Sequence, residues 1–206
     1  MQNIRTIVNS QFVAILIANL NAVGITSNNI ECILLEGSSL YLEECGDIDF
    51  KVIVKHYNPK AETLRSFSIN GYTVECTFYT FKDWAKVASY KKLIYFVTES
   101  PDMITVFGND AKFVRHDILT NKELARKVLL NYDKSLFNYV EENKKQGWQP
   151  MLPKRLWNFL LFAYKLKNNS HEVTNAQLET IQDAHDLKLE LEDYRSLFNE
   201  ITALLG

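Results

Sequence analysis

Two aspartates on one predicted strand have the residue types and the spacing of a metal-binding centre. Asp47 and Asp49 open the segment DIDFKVIV. Side chains alternate between the two faces of a β-strand, so residues i and i+2 point in the same direction. Carboxylate oxygens are the ligands that Mg²⁺ prefers in proteins. The pair therefore predicts a site for a divalent cation.

A Gly-Ser turn lies shortly before the aspartates in the sequence. Gly37, Ser38 and Ser39 follow an apolar run that is typical of a buried strand. Backbone N–H groups in such a turn, at the start of a helix, can hold phosphate oxygens. The Ser38 hydroxyl would add one more donor. The turn and the aspartates together predict that a divalent cation and a phosphate bind in the same place.

Helical and strand patterns alternate around these residues and must position them. Apolar spacing at threes and fours predicts a helix over residues 4–23 that ends at Gly24. Glu75 falls on the polar face of a predicted strand, and Thr120 with Glu123 fits a capping box. The predicted elements up to residue 142 are helices at 4–23, 81–96 and 120–142, strands at 30–35, 47–55, 71–80, 102–106 and 112–117, and a short helix after Asn58-Pro59.

The remainder of the chain has only helical patterns. Residues 147–153 (GWQPMLP) predict a linker, and apolar residues recur at helical spacing in 156–166, 174–184 and 189–205. We therefore predict an α+β fold in two domains. Residues 1–146 would form a mixed sheet flanked by helices, and residues 147–206 an all-helical C-terminal domain.

Composition narrows the class of protein. The 206 residues are 47% hydrophobic and 23% charged, which is typical of a folded chain. No apolar run approaches the roughly 20 residues of a membrane span, and no signal-peptide pattern is visible. Cys32, Cys45 and Cys76 lack CxxC spacing, which favours a reducing compartment over a disulfide framework or a zinc site. These features predict a cytoplasmic protein without a membrane partner.

Charge is distributed unevenly along the chain. The net charge of −2 argues against long nucleic acid as a partner. Basic residues without acidic ones occupy residues 144–168, and acidic residues predominate in residues 171–206. The basic stretch either faces a phosphate-bearing ligand or is a solvated helix face, and its sequence allows both interpretations.

The motifs together resemble the DNA polymerase beta-like nucleotidyltransferase superfamily. That superfamily carries a Gly-Ser turn after a strand, a D-x-D at the start of the next strand, and a third carboxylate on a later strand. Gly37-Ser38 matches the turn, Asp47-Ile48-Asp49 matches the D-x-D, and Glu75 matches the third carboxylate. The resemblance covers roughly residues 1–95, and it implies a nucleotidyltransferase-type sheet. The helical remainder is loosely similar to the helical domains that follow this core in many members.

The resemblance implies an enzyme that moves a nucleoside monophosphate from an NTP, such as ATP, to an acceptor hydroxyl and releases pyrophosphate. Asp47, Asp49 and Glu75 would bind two Mg²⁺ ions, with Mn²⁺ as a substitute, and would form the catalytic centre. Glu75 would also orient or deprotonate the acceptor hydroxyl. The acceptor would be a small molecule or a protein. The residues implied to bind the nucleotide are Gly37, Ser38, Ser39 and Lys154.

Two other interpretations of the sequence stay open. The chain could be a non-catalytic or partner-directed fold-mate, such as the antitoxin of a toxin–antitoxin pair or a nucleotide-binding regulator. The carboxylates could also be purely structural, with Asp47 beginning a strand after Gly46 and Glu75 exposed on a sheet face. Repulsion among three converging carboxylates disfavours this last interpretation.

Overall fold

One mixed β-sheet organises the N-terminal part of the fold, and helices form the C-terminal part. The structure is a computed structural model that describes residues 4–41, 46–56, 66–87, 101–113, 115, 117–132, 152–185 and 191–206. The chain divides into two compact units, which we call the sheet unit (Met1–Ser89 with Asp102–Arg115) and the helical unit (Tyr90–Pro101 with His116–Gly206). The domain boundary predicted between residues 146 and 147 falls outside the described residues. In the structure, the sheet unit ends at Arg115 and the rest of the chain belongs to the helical unit.

Five strands form the sheet, in the order β3-β4-β2-β1-β5. Strands β2 and β4 are parallel, and the other neighbouring pairs are antiparallel. The sheet is therefore mixed, as predicted. Its strands are β1 (Ile30–Glu36), β2 (Asp47–Val54), β3 (Ser66–Ile69), β4 (Tyr72–Tyr79) and β5 (Ile104–Gly108).

Alternation along the strands gives the sheet two different faces. One face, which we call the apolar face, packs with the helix α2 (Ser10–Ala22) into a hydrophobic core. The opposite face, the polar face, carries Asp47, Asp49 and Lys51 on β2 and Glu75 on β4. Buried side chains of the apolar-face core include Phe12, Leu16, Leu20, Ile33, Leu35, Ile48, Phe50, Val52, Val54, Val74 and Cys76.

The predicted N-terminal helix is interrupted. It consists of α1 (Ile4–Ile7) and α2, because the Asn9 side chain accepts hydrogen bonds from the N–H groups of Gln11 and Phe12, both at 3.0 Å. An N-cap of this kind satisfies the first orphan donors of α2 and begins a new helix. The predicted end at Gly24 is confirmed: Gly24 has φ 84°, and its N–H donates to Asn21 O at 2.9 Å.

Four of the predicted strands are confirmed as β1, β2, β4 and β5, but β3 was missed. The short helix was expected in a stretch whose residues 57–65 lie outside the described part, and the stretch ends in β3. Asn70 and Gly71 connect β3 to β4 with φ of 52° and 86°. A two-residue turn with both φ positive is the preferred hairpin connection, and Asn-Gly is its strongest sequence signal. That dipeptide could have identified the hairpin.

Two further predictions in the sheet unit had different outcomes. The helix predicted over residues 81–96 is observed as α3 (Phe81–Val87), and its remainder lies outside the described residues. The strand predicted over residues 112–117 is wrong for the described residues of that range, which adopt turn or irregular backbone. The Phe113 N–H donates a hydrogen bond to Asp110 O at 2.7 Å, which closes a turn. This N–H group therefore does not pair with another strand.

The described elements of the helical unit are all α-helices, as predicted. The capping box at Thr120 is wrong: Asn121 caps α4, because its side chain accepts from Leu124 N–H at 2.9 Å. No helix in the described ranges is long and apolar enough to cross a membrane. The helices are α4 (Lys122–Tyr132), α5 (Leu152–Asn168), α6 (Asn175–His185) and α7 (Leu191–Leu205).

Candidate metal centre

The parallel pairing of β2 with β4 brings the predicted carboxylates together. Asp49 lies opposite Glu75 in the register, and Asp47 lies opposite Thr73. Asp47 and Asp49 are two residues apart on β2, so both point to the polar face beside Glu75. The sheet therefore brings together on one face two acids of β2 and one of β4, which the sequence placed on two separate strands.

The three carboxylates are close enough to share a cation. One carboxylate oxygen from each of Asp47, Asp49 and Glu75 lies within 4.8 Å of the others. Asp47 and Asp49 are half-buried, and Glu75 is exposed. An oxygen-only donor set of this kind fits Mg²⁺ or Mn²⁺, and the exposed Glu75 leaves a side of the cluster open to solvent. We call these residues the acidic triad.

Gly37 packs against the triad, and a side chain at its position would displace the Asp49 carboxylate. A Cβ atom built on Gly37 would lie 2.9 Å from Asp49 Cγ and 3.0 Å from Asp49 Cβ. The backbone of Gly37 also has φ 83°, which favours glycine. Because Gly37 has no side chain and has a positive φ, the backbone of the turn after β1 can lie directly against the Asp49 carboxylate. The sequence predicted that the Gly-Ser turn lies next to the aspartates, and the structure places Gly37 of that turn against Asp49.

The other predicted nucleotide-binding residues have different surroundings. Ser38 is half-buried, and the helix expected to begin there is a single 3₁₀ turn, Ser38–Leu40. Ser39 is buried, and its hydroxyl donates to Glu36 O at 3.2 Å, so this hydroxyl stabilises the turn. Lys154 lies in the first turn of α5, in the helical unit, and its side chain is outside what the structure describes. The structure thus brings Gly37 to the triad and leaves the role of Lys154 a prediction.

A buried ion pair next to the triad was not predicted. Lys51 pairs with Glu36, and the Glu36 carboxylate also accepts from the Thr77 hydroxyl at 3.1 Å. The side chains of Lys51 and Glu36 are only 2% and 12% exposed. Lys51 continues the alternation of Asp47 and Asp49 on β2, so the sequence placed it on the polar face. Its burial and its partner depend on the pairing of β1 with β2.

Burial, together with the negative charge of this cluster, raises the pKa of two neighbouring groups. Burial, reinforced by the carboxylates of Glu36, Asp49 and Glu75, raises the pKa of the Cys76 thiol to about 12. Burial and the Glu36 carboxylate also raise the pKa of the Tyr79 phenol. Both groups are therefore protonated and neutral at physiological pH, so neither adds negative charge to the cluster or supplies a nucleophile.

Comparison with known proteins does not identify the chain. A scan against protein-family models finds no match, and neither does a search of curated proteins. The residue types and the geometry of the acidic triad are therefore the available indications of function.

Proposed function

We propose that the chain is a Mg²⁺-dependent nucleotidyltransferase that moves a nucleoside monophosphate from an NTP to a hydroxyl of a small molecule or a protein. The observation that carries this proposal is the convergence of Asp47, Asp49 and Glu75 within 4.8 Å on one sheet face. Three carboxylates at this separation repel one another, and a bound dication removes that repulsion. The Gly37 turn supports the same proposal, because it lies against Asp49 and so places the turn expected to bind phosphate beside the candidate metal ligands.

Each residue of the triad has a defined task in the proposed reaction. The acceptor oxygen attacks the α-phosphorus, the bond from that phosphorus to the pyrophosphate oxygen breaks, and the acceptor proton passes to a base. Glu75, the exposed member, is the candidate for orienting the acceptor hydroxyl and taking its proton. Asp47 and Asp49 hold the cation. When bound, the cation neutralises charge on the triphosphate and orients the reacting oxygens.

The test is isothermal titration of ATP, GTP, CTP and UTP, with Mg²⁺ and with EDTA, on the wild type and on Asp47→Asn/Asp49→Asn. We expect Mg²⁺-dependent binding of at least one nucleotide and a loss of roughly 100-fold or more in the double variant, because both shared ligands become neutral. The matched control is Glu172→Gln/Glu179→Gln, which removes two exposed carboxylates from the helical unit and should bind as the wild type does.

A nucleotide that binds equally in EDTA, or equally to the double variant, would contradict the proposal. Failure of the wild type to bind any nucleotide would contradict it as well. The partner-directed alternative would then be tested by co-purification of the full chain from its own cells, since an antitoxin would carry its toxin with it.

A further inference from the structure

A buried lysine lies beside the acidic triad on the same sheet face. Lys51 is 1% exposed as a residue, and it pairs with Glu36 across the antiparallel β1–β2 ladder. Thr77 donates to the other carboxylate oxygen of Glu36 at 3.1 Å. Both oxygens of Glu36 are therefore engaged, one by Lys51 of β2 and one by Thr77 of β4, which fixes the orientation of the carboxylate.

Two aromatic rings also lie near the Lys51 ammonium group. The Nζ atom lies 5.2 Å from the ring centroid of Tyr79 and 4.8 Å from that of Trp84. Trp84 is itself fully buried and stacks on Phe113 with centroids 4.7 Å apart. Cation–π attraction and the Glu36 carboxylate offset the cost of removing this charge from water. The Lys51 ammonium group is therefore held at a fixed position, from which its charge can act on the acidic triad.

The register places this charge next to the triad. Glu36, Asp49 and Glu75 form one row across β1, β2 and β4, and Lys51 with Thr77 forms the adjacent row. Neighbouring positions on one face of a strand are roughly 7 Å apart. At that distance, in a partly buried setting, opposite charges interact appreciably. Lys51 is thus close to the triad. Its ion pair, with the Thr77 hydrogen bond, holds the Glu36 carboxylate on Lys51 and Thr77.

We propose that Lys51 is a built-in countercharge for the acidic triad and a positioning residue for its metal centre. It compensates part of the negative charge while the triad holds no cation, and it keeps Glu36 from becoming a fourth metal ligand. This inference rests on the proposed metal centre of the nucleotidyltransferase. It predicts that the two members of the ion pair act in opposite directions on metal affinity, although both stabilise the fold.

The variants that separate these effects are Lys51→Met and Glu36→Gln. Removing the Lys51 charge leaves the triad and Glu36 uncompensated, so Mg²⁺ and Mn²⁺ should bind roughly tenfold more tightly. Removing the Glu36 charge leaves the positive charge of Lys51 beside the triad without its Glu36 countercharge, so both metals should bind roughly tenfold more weakly. A purely structural pair would change metal affinity in the same direction in both variants, or not at all. Lys51→Arg keeps the charge and should restore an affinity close to that of the wild type.

The measurement combines metal titration calorimetry at pH 8 with thermal unfolding in EDTA and in saturating Mg²⁺. Lys51→Met should lose more thermal stability in EDTA than in Mg²⁺, because the cation replaces the missing countercharge. The control is Lys82→Met, which removes the same charge from an exposed position on α3 and should leave both the metal affinity and the EDTA–Mg²⁺ difference unchanged. Equal losses in EDTA and Mg²⁺, with unchanged metal affinity, would overturn the inference.

Two further outcomes keep the inference separate from the proposed function. If the wild type binds neither metal, the proposed metal centre fails. A metal-free double-mutant cycle then decides the role of Lys51, since Asp49→Asn should restore stability to Lys51→Met and should not stabilise the wild type equally. If Lys51→Met does not fold, the comparison of Glu36→Gln with Lys51→Met/Glu36→Gln decides: recovery of metal affinity in the double variant supports the inference, and its absence overturns it.

Discussion

The two faces of the sheet are made by alternating residues of the same strands, yet they achieve burial by different means. On β2, Phe50 and Val52 bury apolar surface against the core that includes α2. One residue away, Asp49 and Lys51 place opposite charges on the polar face. Apolar burial is non-directional and stabilises the fold on its own. Charges on the polar face need defined partners, so that face depends on the register of β2 with both of its neighbours.

The apolar face should carry the larger share of stability. Phe50 is fully buried, and its ring packs 6.2 Å from that of Phe12, centroid to centroid. Phe50→Ala should lower the free energy of unfolding by about 3–5 kcal/mol, through lost transfer energy and a residual cavity. Urea unfolding measures this loss. The Mg²⁺ affinity of the protein that stays folded should change less than twofold, and a larger change would show that the two faces are not energetically separate.

Gly37 tests how closely the turn after β1 is fitted to the polar face. Gly37→Ala places a Cβ against the Asp49 carboxylate in backbone of positive φ, so we expect a loss of about 1–3 kcal/mol of stability. Mg²⁺ should also bind roughly tenfold more weakly, because Asp49 must move. Calorimetric titration and urea unfolding measure the two effects.

The matched control for Gly37 is Gly71→Ala. Gly71 has φ 86°, and a Cβ there meets nothing within 4 Å. This variant therefore measures the cost of a side chain at positive φ, roughly 1–2 kcal/mol, without a contact to Asp49. If both variants weaken Mg²⁺ binding equally, the close fit of Gly37 to Asp49 is not what positions the metal ligand.

A smaller effect concerns the pH dependence of the ion pair between Asp110 and Arg115. Asp110 accepts from the Thr105 hydroxyl at 2.6 Å and from Arg115 at 2.7 Å, and both bonds lower the pKa of its carboxyl group. A lowered pKa in the folded state contributes stability above the unfolded pKa of about 3.9, and that contribution is lost as the pH falls through the folded pKa.

Asp110→Asn should therefore be less stable than the wild type at pH 7 and should lose less stability between pH 5 and pH 2. The side chain of Asp110 is 33% exposed, so solvent screening limits the difference to about 0.5–1 kcal/mol. Urea unfolding at pH 7, 5 and 2 measures it. Parallel curves for the two proteins across this range would show that Asp110 does not contribute through its charge.

Much of this fold followed from local patterns. Alternation in residues 47–55 and 71–80 was sufficient to identify β2 and β4, because side-chain direction in a strand has a period of two. The interruption at Asn9 was missed because the apolar spacing continues across it, and the Asn121 cap was missed because Thr120 fits a capping box one position earlier. The hairpin that contains β3 was overlooked, although Asn70-Gly71 signalled it. Strand alternation predicted the Asp47–Asp49 pair, and the resemblance to nucleotidyltransferases added Glu75, which the structure places beside that pair.

The sequence by itself determined that Asp47, Asp49 and Lys51 share one face of a strand and that Phe50 and Val52 share the other. Only the tertiary structure decided that β4 pairs in parallel with β2, so that Glu75 lies opposite Asp49, and that β1 presents Glu36 to Lys51. The physical reason is that side-chain alternation is a property of neighbouring residues. Register between strands distant in sequence is set by the whole sheet and the core beneath it.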